Sequence, residues 1–425
     1  MNLPRFNPRL FAVIGIIVVG SMIVLALVLF ILMRGRVTDV PVPGSGGVGV
    51  LPGSGEGQGG QIRAGDDGTL PGSGGGGSGT DGQRGGIGGL IDPDSVISDV
   101  ANGGNTSVQA LVQGFPMAAS VNVTGGINYY DTDDAKFYTV GPDGTKQLLS
   151  SEEFPGVDDV VWSPSADSGI LTYRDGRNVF YDFTKNKMSI LPRGLVDPVF
   201  REDGETIAYK LETGNQSDNW IVVSAVDGQG AKPVQPMGEN GDRVEMMWSA
   251  DQKIIATFRQ PKGIDREEIF FIGLEGENFL SMEVQGSGFR GVWSPDGKYM
   301  LYHTVMAQDN YLPHLWVSSA GGSAQYDFGV TTWVDKCAFQ KGTSVAYCAV
   351  PESLTEGAGL APEAARGLRY QILKVDVTAR RTERVAVPID LNFGVLKDID
   401  RIQVKPGGGE LYLMTRETIY SIKLR

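Results

Sequence analysis

One short pattern returns along most of this chain: an apolar strand opening on Trp or Phe, a tight turn, and a second strand ending in an aromatic. Its clearest copy is Val292-Trp293-Ser294-Pro295-Asp296-Gly297-Lys298-Tyr299-Met300-Leu301-Tyr302. Equivalent positions are Trp162, Phe200, Trp248, Trp293 and Phe339, with Val121 and Val404 as weaker copies at either end. Their spacing is about 40 to 50 residues until the last interval, which an insertion from Pro351 to Arg366 lengthens. A period of ~40–50 residues with four strands per unit is the signature of a β-propeller, because one blade cannot bury its own faces and must stack on neighbours. The expected fold is all-β, a propeller of about seven four-stranded antiparallel blades over residues 106–425.

Third strands read as Lys136-Phe137-Tyr138-Thr139-Val140, Trp220 to Ser224, Ile269 to Ile272 and Tyr370 to Val375. Several run into a Gly turn, as at Asp143-Gly144 and Asp227-Gly228, where a left-handed backbone favours a residue without Cβ. The last blade is one strand short: Ile402 to Val404, Leu411 to Met414 and Thr418 to Leu424 supply only three. Residues 107–112, Ser-Val-Gln-Ala-Leu-Val, lie upstream of the first blade and belong to none. Placing them as the missing strand closes the ring and removes an unpaired edge.

The Ser-Pro-Asp-Gly turn and its flanks resemble the TolB-like family of WD-type propeller repeats, and are also similar to the propellers of prolyl oligopeptidase relatives. The resemblance covers residues 118–425, best at Trp293 to Tyr302, with degenerate forms at Trp162-Ser163-Pro164-Ser165 and Trp248-Ser249-Ala250-Asp251. It implies the fold. The separate N-terminal domain of TolB-like proteins is not seen here, so membership of their system is not implied.

The first hundred residues follow different rules. From Leu10 to Met33 there is no charge, and ~20 apolar residues suffice to cross a ~30 Å hydrocarbon core as a helix. A transmembrane helix is expected over 10–33, with residues 1–9 cytoplasmic and a membrane as the partner of that helix. Arg5 and Arg9 on one side and Arg34 and Arg36 on the other make the positive-inside signal weak. Residues 34–105 are dominated by Gly and Ser, with Leu-Pro-Gly-Ser-Gly blocks at 51–55 and 70–74; such a segment buries too little apolar surface to offset its ordering entropy and reads as a flexible linker. The formal net charge is −13. An acidic chain repels phosphate backbones, so nucleic acid is not an expected partner.

Cys337 and Cys348 are the two cysteines. If Gln340 opposes Val345 around Lys341 to Ser344, the two face each other across a hairpin and can bridge; two small buried thiols is the alternative. A bridge places the domain in an oxidising compartment, and an extracytoplasmic propeller on the cell membrane is expected.

Chemistry is sparse. No G-x-S-x-G elbow occurs in a strand-to-helix context, and His303 and His314, both assigned to the loop region of the fifth blade, are too few for a serine triad or a multi-histidine metal site. Asp131-Thr132-Asp133-Asp134 lacks the glycine and distal glutamate of a calcium loop and reads as an acidic turn. The tryptophans at the opening positions read as inter-blade core. No catalytic residue, metal or cofactor is assigned. What remains is the face bearing the loops between second and third strands and the crossovers between blades. Its loops are long at Leu211 to Asp218, Arg259 to Glu267, Thr304 to Leu312 and Pro351 to Arg366, and its crossovers carry Asp158, Asp159, Asp197, Asp242, Asp335, Asp398 and Asp400. Carboxylates gathered near one channel mouth call for a cation or cationic group to offset their repulsion. The favoured function is a non-enzymatic module binding a protein or peptide of the cell envelope; the alternative is an envelope enzyme acting on glycans through channel carboxylates.

Overall fold

The computed structural model of the chain describes residues 96–275, 281–392 and 394–425. The segment 10–33, expected to span a membrane, lies outside the described residues, as does the linker up to residue 95. Among the described residues no helix is long and apolar enough to cross a membrane.

The described chain forms seven sheets, one per expected blade, each built on four antiparallel strands. The innermost strands are Pro116–Val121, Val157–Trp162, Leu195–Phe200, Val244–Met246, Ser287–Trp293, Cys337–Phe339 and Arg401–Val404. Six of the seven repeat residues end their innermost strand at the tight turn, rather than beginning it, and Trp248 lies two residues past the end of its strand. Backbone bonds across that turn recur with the same geometry, among them Ser163 N to Ser168 O and Ser294 N to Tyr299 O, both 2.9 Å. Placed there, the aromatics reach the neighbouring blade. The Trp162 indole donates to Ala118 O at 2.6 Å and that of Trp248 to Val199 O at 3.1 Å, while Trp293 packs in the core with Phe271 and Met300. A buried indole N–H bound to a neighbour's backbone fixes both the spacing and the tilt of two blades.

The ring closes through the N-terminus. Gln109–Gln113 pairs antiparallel with Thr418–Lys423 and forms the outer strand of blade 7. Residues 107–112 were expected there, and the pairing falls slightly later. Ser107 belongs instead to a separate strand, Asn105–Ser107, which lies parallel to Arg381–Asp390 on the outer edge of blade 6. The packed unit therefore reaches upstream of residue 106: Ala101 is buried against Tyr370 and Ile422 in the core between blades 6 and 7. At the closing seam the Tyr412 hydroxyl donates to Gly125 O and the Val121 N–H to Gln403 Oε1, both at 2.6 Å.

Cys337 stands opposite Cys348, with Gln340 N bound to Val345 O at 2.8 Å, and the two sulfurs are bonded. The bridge ties the innermost strand of blade 6 to its neighbour.

Candidate functional site

Turns joining first to second and third to fourth strands occupy one face of the ring; loops joining second to third strands, and the crossovers, occupy the other. Two of the loops expected to be long are instead extended hairpins. Ile254–Pro261 and Arg266–Gly273 leave only four residues between them, and Tyr299–Met306 and Leu312–Ser319 only five. Residues 352–369 do form a long insertion, and it is folded rather than free. Gly357 N and Gly359 N bond to Asn310 O and Tyr311 O of the blade 5 loop at 2.8 Å, and Ala358 and Ala365 pack with Trp333. A Cβ on Gly359 would lie 2.6 Å from Tyr311 O, so the clasp depends on glycine.

Counting three residues back from each strand-end position gives one residue per blade: Ala118, Asp159, Asp197, Glu245, Arg290, Lys336 and Arg401. The pairings Asp159 with Thr172, Glu245 with Thr257, Arg290 with His303 and Arg401 with Met414 put them at matching heights on the inner strands. Around the mouth, blades 2 to 4 are acidic at this height and blades 5 to 7 basic.

Over blades 3 to 6 each of these charges has a partner within the molecule. Lys210 Nζ, buried, holds Asp197 Oδ2 at 2.6 Å. Arg290 stands between two carboxylates, 3.3 Å from Glu245 Oε1 and 3.3 Å from Asp335 Oδ1. Burial opposes the Arg290 charge, yet the carboxylates of Asp335 and Glu245 outweigh it and hold its pKa above the usual value. Glu245 is shielded further: burial pushes its carboxyl up to about 7 despite Arg290, and its Oε2 is buried without a partner. Beside it, burial pushes His303 down to about 4, leaving a neutral ring whose Nδ1 accepts the Val334 N–H at 3.2 Å. Burial also lowers Lys336, whose ammonium bonds to Ile399 O at 2.6 Å and lies 5.2 Å from the Tyr370 ring centre.

Over blades 7, 1 and 2 the picture reverses. Asp159, Asp400, Arg401 and Arg416 are exposed and make no side-chain ion pair or hydrogen bond among the described residues. They face a cavity of about 730 Å³ walled also by Met117 and Trp162. A second cavity, about 740 Å³, runs outward between the blade 7 loop and the crossover from blade 6, and shares Phe115, Asp400, Thr415 and Arg416 with the first.

The seven aspartates are therefore not one cluster. Asp158 and Asp159 lie in the blade 2 inner strand, Asp197 in that of blade 3, and Asp242 and Asp335 in short 3-10 turns; only Asp398 and Asp400 sit in an open crossover. Asp158 approaches Arg174 at 3.6 Å with both exposed, Asp242 contributes its backbone oxygen to Arg259 at 2.6 Å, and Asp398 Oδ1 accepts the Gly367 N–H at 2.6 Å. The offsetting cations expected of a ligand are supplied by Lys210 and Arg290 of this chain. Both histidines lie in strands, not loops, and among the described residues no group of His, Cys, Asp and Glu is arranged to hold a metal. Asp131 to Asp134 is an acidic turn in which Lys146 bonds to Asp131 at 3.0 Å and the Tyr138 hydroxyl to Asp134. The basic half of the mouth was missed, although the three-back count from each repeat residue would have exposed it.

No family model and no curated protein matches the chain. Solved structures similar to it include TolB from Acinetobacter baumannii, at 14% identity and a TM-score of 0.40 over 64% of this chain and 62% of that one. Others are Kuenenia stuttgartiensis hydrazine synthase, at 14% and 0.49 over 79% and 99%, and the Cps50 (Swd1) β-propeller domain of Myceliophteria thermophila, at 9% and 0.48 over 75% and 100%. The chain thus spans less than two thirds of the Acinetobacter TolB chain. The blade count stands on the strand pairing alone.

Proposed function

We propose that this chain is a membrane-tethered, non-catalytic binding module of the cell envelope that engages a protein or peptide through the loop face of its propeller. The carrying observation is the division of labour between faces. Turns close one side tightly, while the folded insertion, the extended hairpins and a row of residues charged in six of the seven blades meet on the other. Variable loops on a rigid scaffold are where binding usually resides. The uncharged run at 10–33 and the glycine-rich stretch after it supply the tether in this reading, and the Cys337–Cys348 bond suits an oxidising side of the membrane.

The chain's two cysteines are both bonded, so a single added cysteine can be labelled selectively. With a bulky polymer attached at Glu356→Cys on the loop face, capture of envelope proteins by the full-length chain should be lost. The same polymer at Lys298→Cys on the turn face should leave it intact. Equal capture from both labelled proteins would refute the assignment of the face.

A second reading, an envelope enzyme acting on glycans, has one observation in its favour. A carboxyl held at about 7, as Glu245 is, suits a general acid. It lacks a free partner, since the nearby Asp335 is tied to the same Arg290, whereas glycoside hydrolysis uses two carboxyl groups flanking the bond. Turnover of envelope polysaccharide that disappears in Glu245→Gln would establish it.

A further inference from the structure

The two cavities on the loop face form one continuous trough. It runs from the channel mouth at blades 7, 1 and 2 outward past the blade 7 loop, with Phe115, Asp400 and Arg416 on the shared wall. Its inner half alone, at about 730 Å³, lies within the ~300–1,000 Å³ range of ligand pockets. Three features set it apart from the rest of the mouth. Its carboxylates Asp159 and Asp400 and its guanidinium groups Arg401 and Arg416 make no side-chain hydrogen bond or ion pair among the described residues, although Asp400 lies close enough to act on the Lys336 charge; Asp197, Glu245 and Arg290 are ion-paired and the Lys336 ammonium is bonded to Ile399 O. Both signs are present together, so a simple cation or anion would meet repulsion as well as attraction. Between the charges stands apolar surface: Phe115 is 52% exposed, beside Met117 and a Trp162 ring whose one donor is already committed to Ala118 O.

We propose that this trough is the ligand site of the loop face, and that it takes an extended peptide segment of a partner protein bearing an acidic and a basic side chain around an apolar one. The acidic side chain pairs with Arg401 and Arg416, the basic one with Asp159 and Asp400, and the apolar one covers Phe115. The inference rests on the loop face being the binding face. It adds which part of that face binds and what chemistry it reads.

The probes are three fluorescein-labelled nonapeptides built from Lys-Phe-Asp, Asp-Phe-Asp and Lys-Phe-Lys triplets, titrated against the full-length protein. The mixed-charge peptide should bind about tenfold more tightly than either other, the size two modest charge pairs reach together, and the advantage should shrink as salt rises. Arg401→Ala with Arg416→Ala should cost the mixed peptide about tenfold and shift preference to the all-Lys one. Asp159→Asn with Asp400→Asn should shift it to the all-Asp one. Opposite shifts from two surface variants cannot arise from misfolding. Equal affinity for the three peptides, or no shift of preference in either variant, overturns the proposal. If polymer at Glu356→Cys still abolishes capture while the trough variants bind partner and peptides as before, the loop face binds elsewhere and only this inference fails.

Discussion

The two arcs of the channel mouth carry similar numbers of charges and use them in opposite ways. From blade 3 to blade 6 each charged residue of the row has a partner inside the molecule: Asp197 and Lys210 pair within blade 3, and Arg290 joins Glu245 of blade 4 to Asp335 ahead of blade 6, so that arc acts as a brace. From blade 7 through 1 to 2 the charges line an open trough. That open arc is also the seam where the ring closes, by a strand drawn from the other end of the sequence. A closing seam cannot rely on chain continuity, and here backbone pairing, Tyr412 and Gln403 hold it, leaving the charged side chains free. The difference teaches that charge on a rim indicates binding only where it is left unpaired.

The largest expected effect removes the closure itself. Deleting residues 1–95 should leave a folded, soluble domain. Deleting 1–114 exposes the edge of Thr418–Lys423 and strips buried Val112 and Ala101 from their clusters, and an open hydrophobic edge invites aggregation. The longer deletion should lose its cooperative melt and the trough together. If both products are equally soluble and melt alike, the open arc does not depend on this strand.

Next come the two buried titrating groups of the braced arc, whose effects oppose each other. Arg290, Arg259 and Asp335 surround both. Glu245 has a folded pKa of about 7, above its unfolded value, so its stabilising share is complete at low pH and is lost as pH rises towards 7. His303 has a folded pKa of about 4, below its unfolded value, so its share is complete above ~6.5 and is lost as pH falls towards 4. Each is worth on the order of 3 kcal/mol at ~1.4 kcal/mol per unit. In the wild type they largely cancel between about pH 4.5 and 6.5. Glu245→Gln should therefore become steadily more stable from pH 4 to 6.5, and His303→Gln steadily less stable from pH 4.5 to 7, read by denaturant titration. Parallel profiles in the two variants would show that neither group is buried as described.

How much of this was legible in advance follows from the range of each interaction. The repeat and the short seventh blade are written in local residue order, so spacing alone exposed them, and the Cys337–Cys348 register followed from one hairpin. The strand Asn105–Ser107 is three residues long and pairs in parallel with a segment some 280 positions away, and it lies beside glycine-rich sequence that reads as linker. The acids of the mouth were visible, yet their pairing was not, because Lys210 and Arg290 reach them from other strands. A sequence lists charges without saying which have been neutralised.

A smaller effect is expected from cutting the brace at its centre. Arg290→Ala leaves Glu245 and Asp335 facing each other without their cation. Removing one partner of a fully buried pair costs ~3–5 kcal/mol, but the Arg290 side chain is 54% exposed, and Glu245 can take up a proton. A loss of about 1–2 kcal/mol at pH 8, shrinking below pH 6, is the expected outcome. A pH-independent loss would mean that the side chain serves by packing alone.

The smallest expected effect is the most telling for the comparison. Arg401→Ala and Asp159→Asn remove exposed charges with no internal partner among the described residues, and surface changes of that kind usually stay within about 0.5 kcal/mol. Thermal and denaturant unfolding should be indistinguishable from wild type at both low and high salt. The same pair of changes in the braced arc, Asp197→Asn and Lys210→Met, should not behave alike: the first leaves buried Lys210 without its carboxylate, the second removes the buried charge altogether. Asp197→Asn should therefore destabilise the domain more than Lys210→Met. If Arg401→Ala or Asp159→Asn instead costs more than about 1 kcal/mol, those side chains are braced too, the two arcs are alike, and the case for a trough that reads its ligand by charge falls with the distinction.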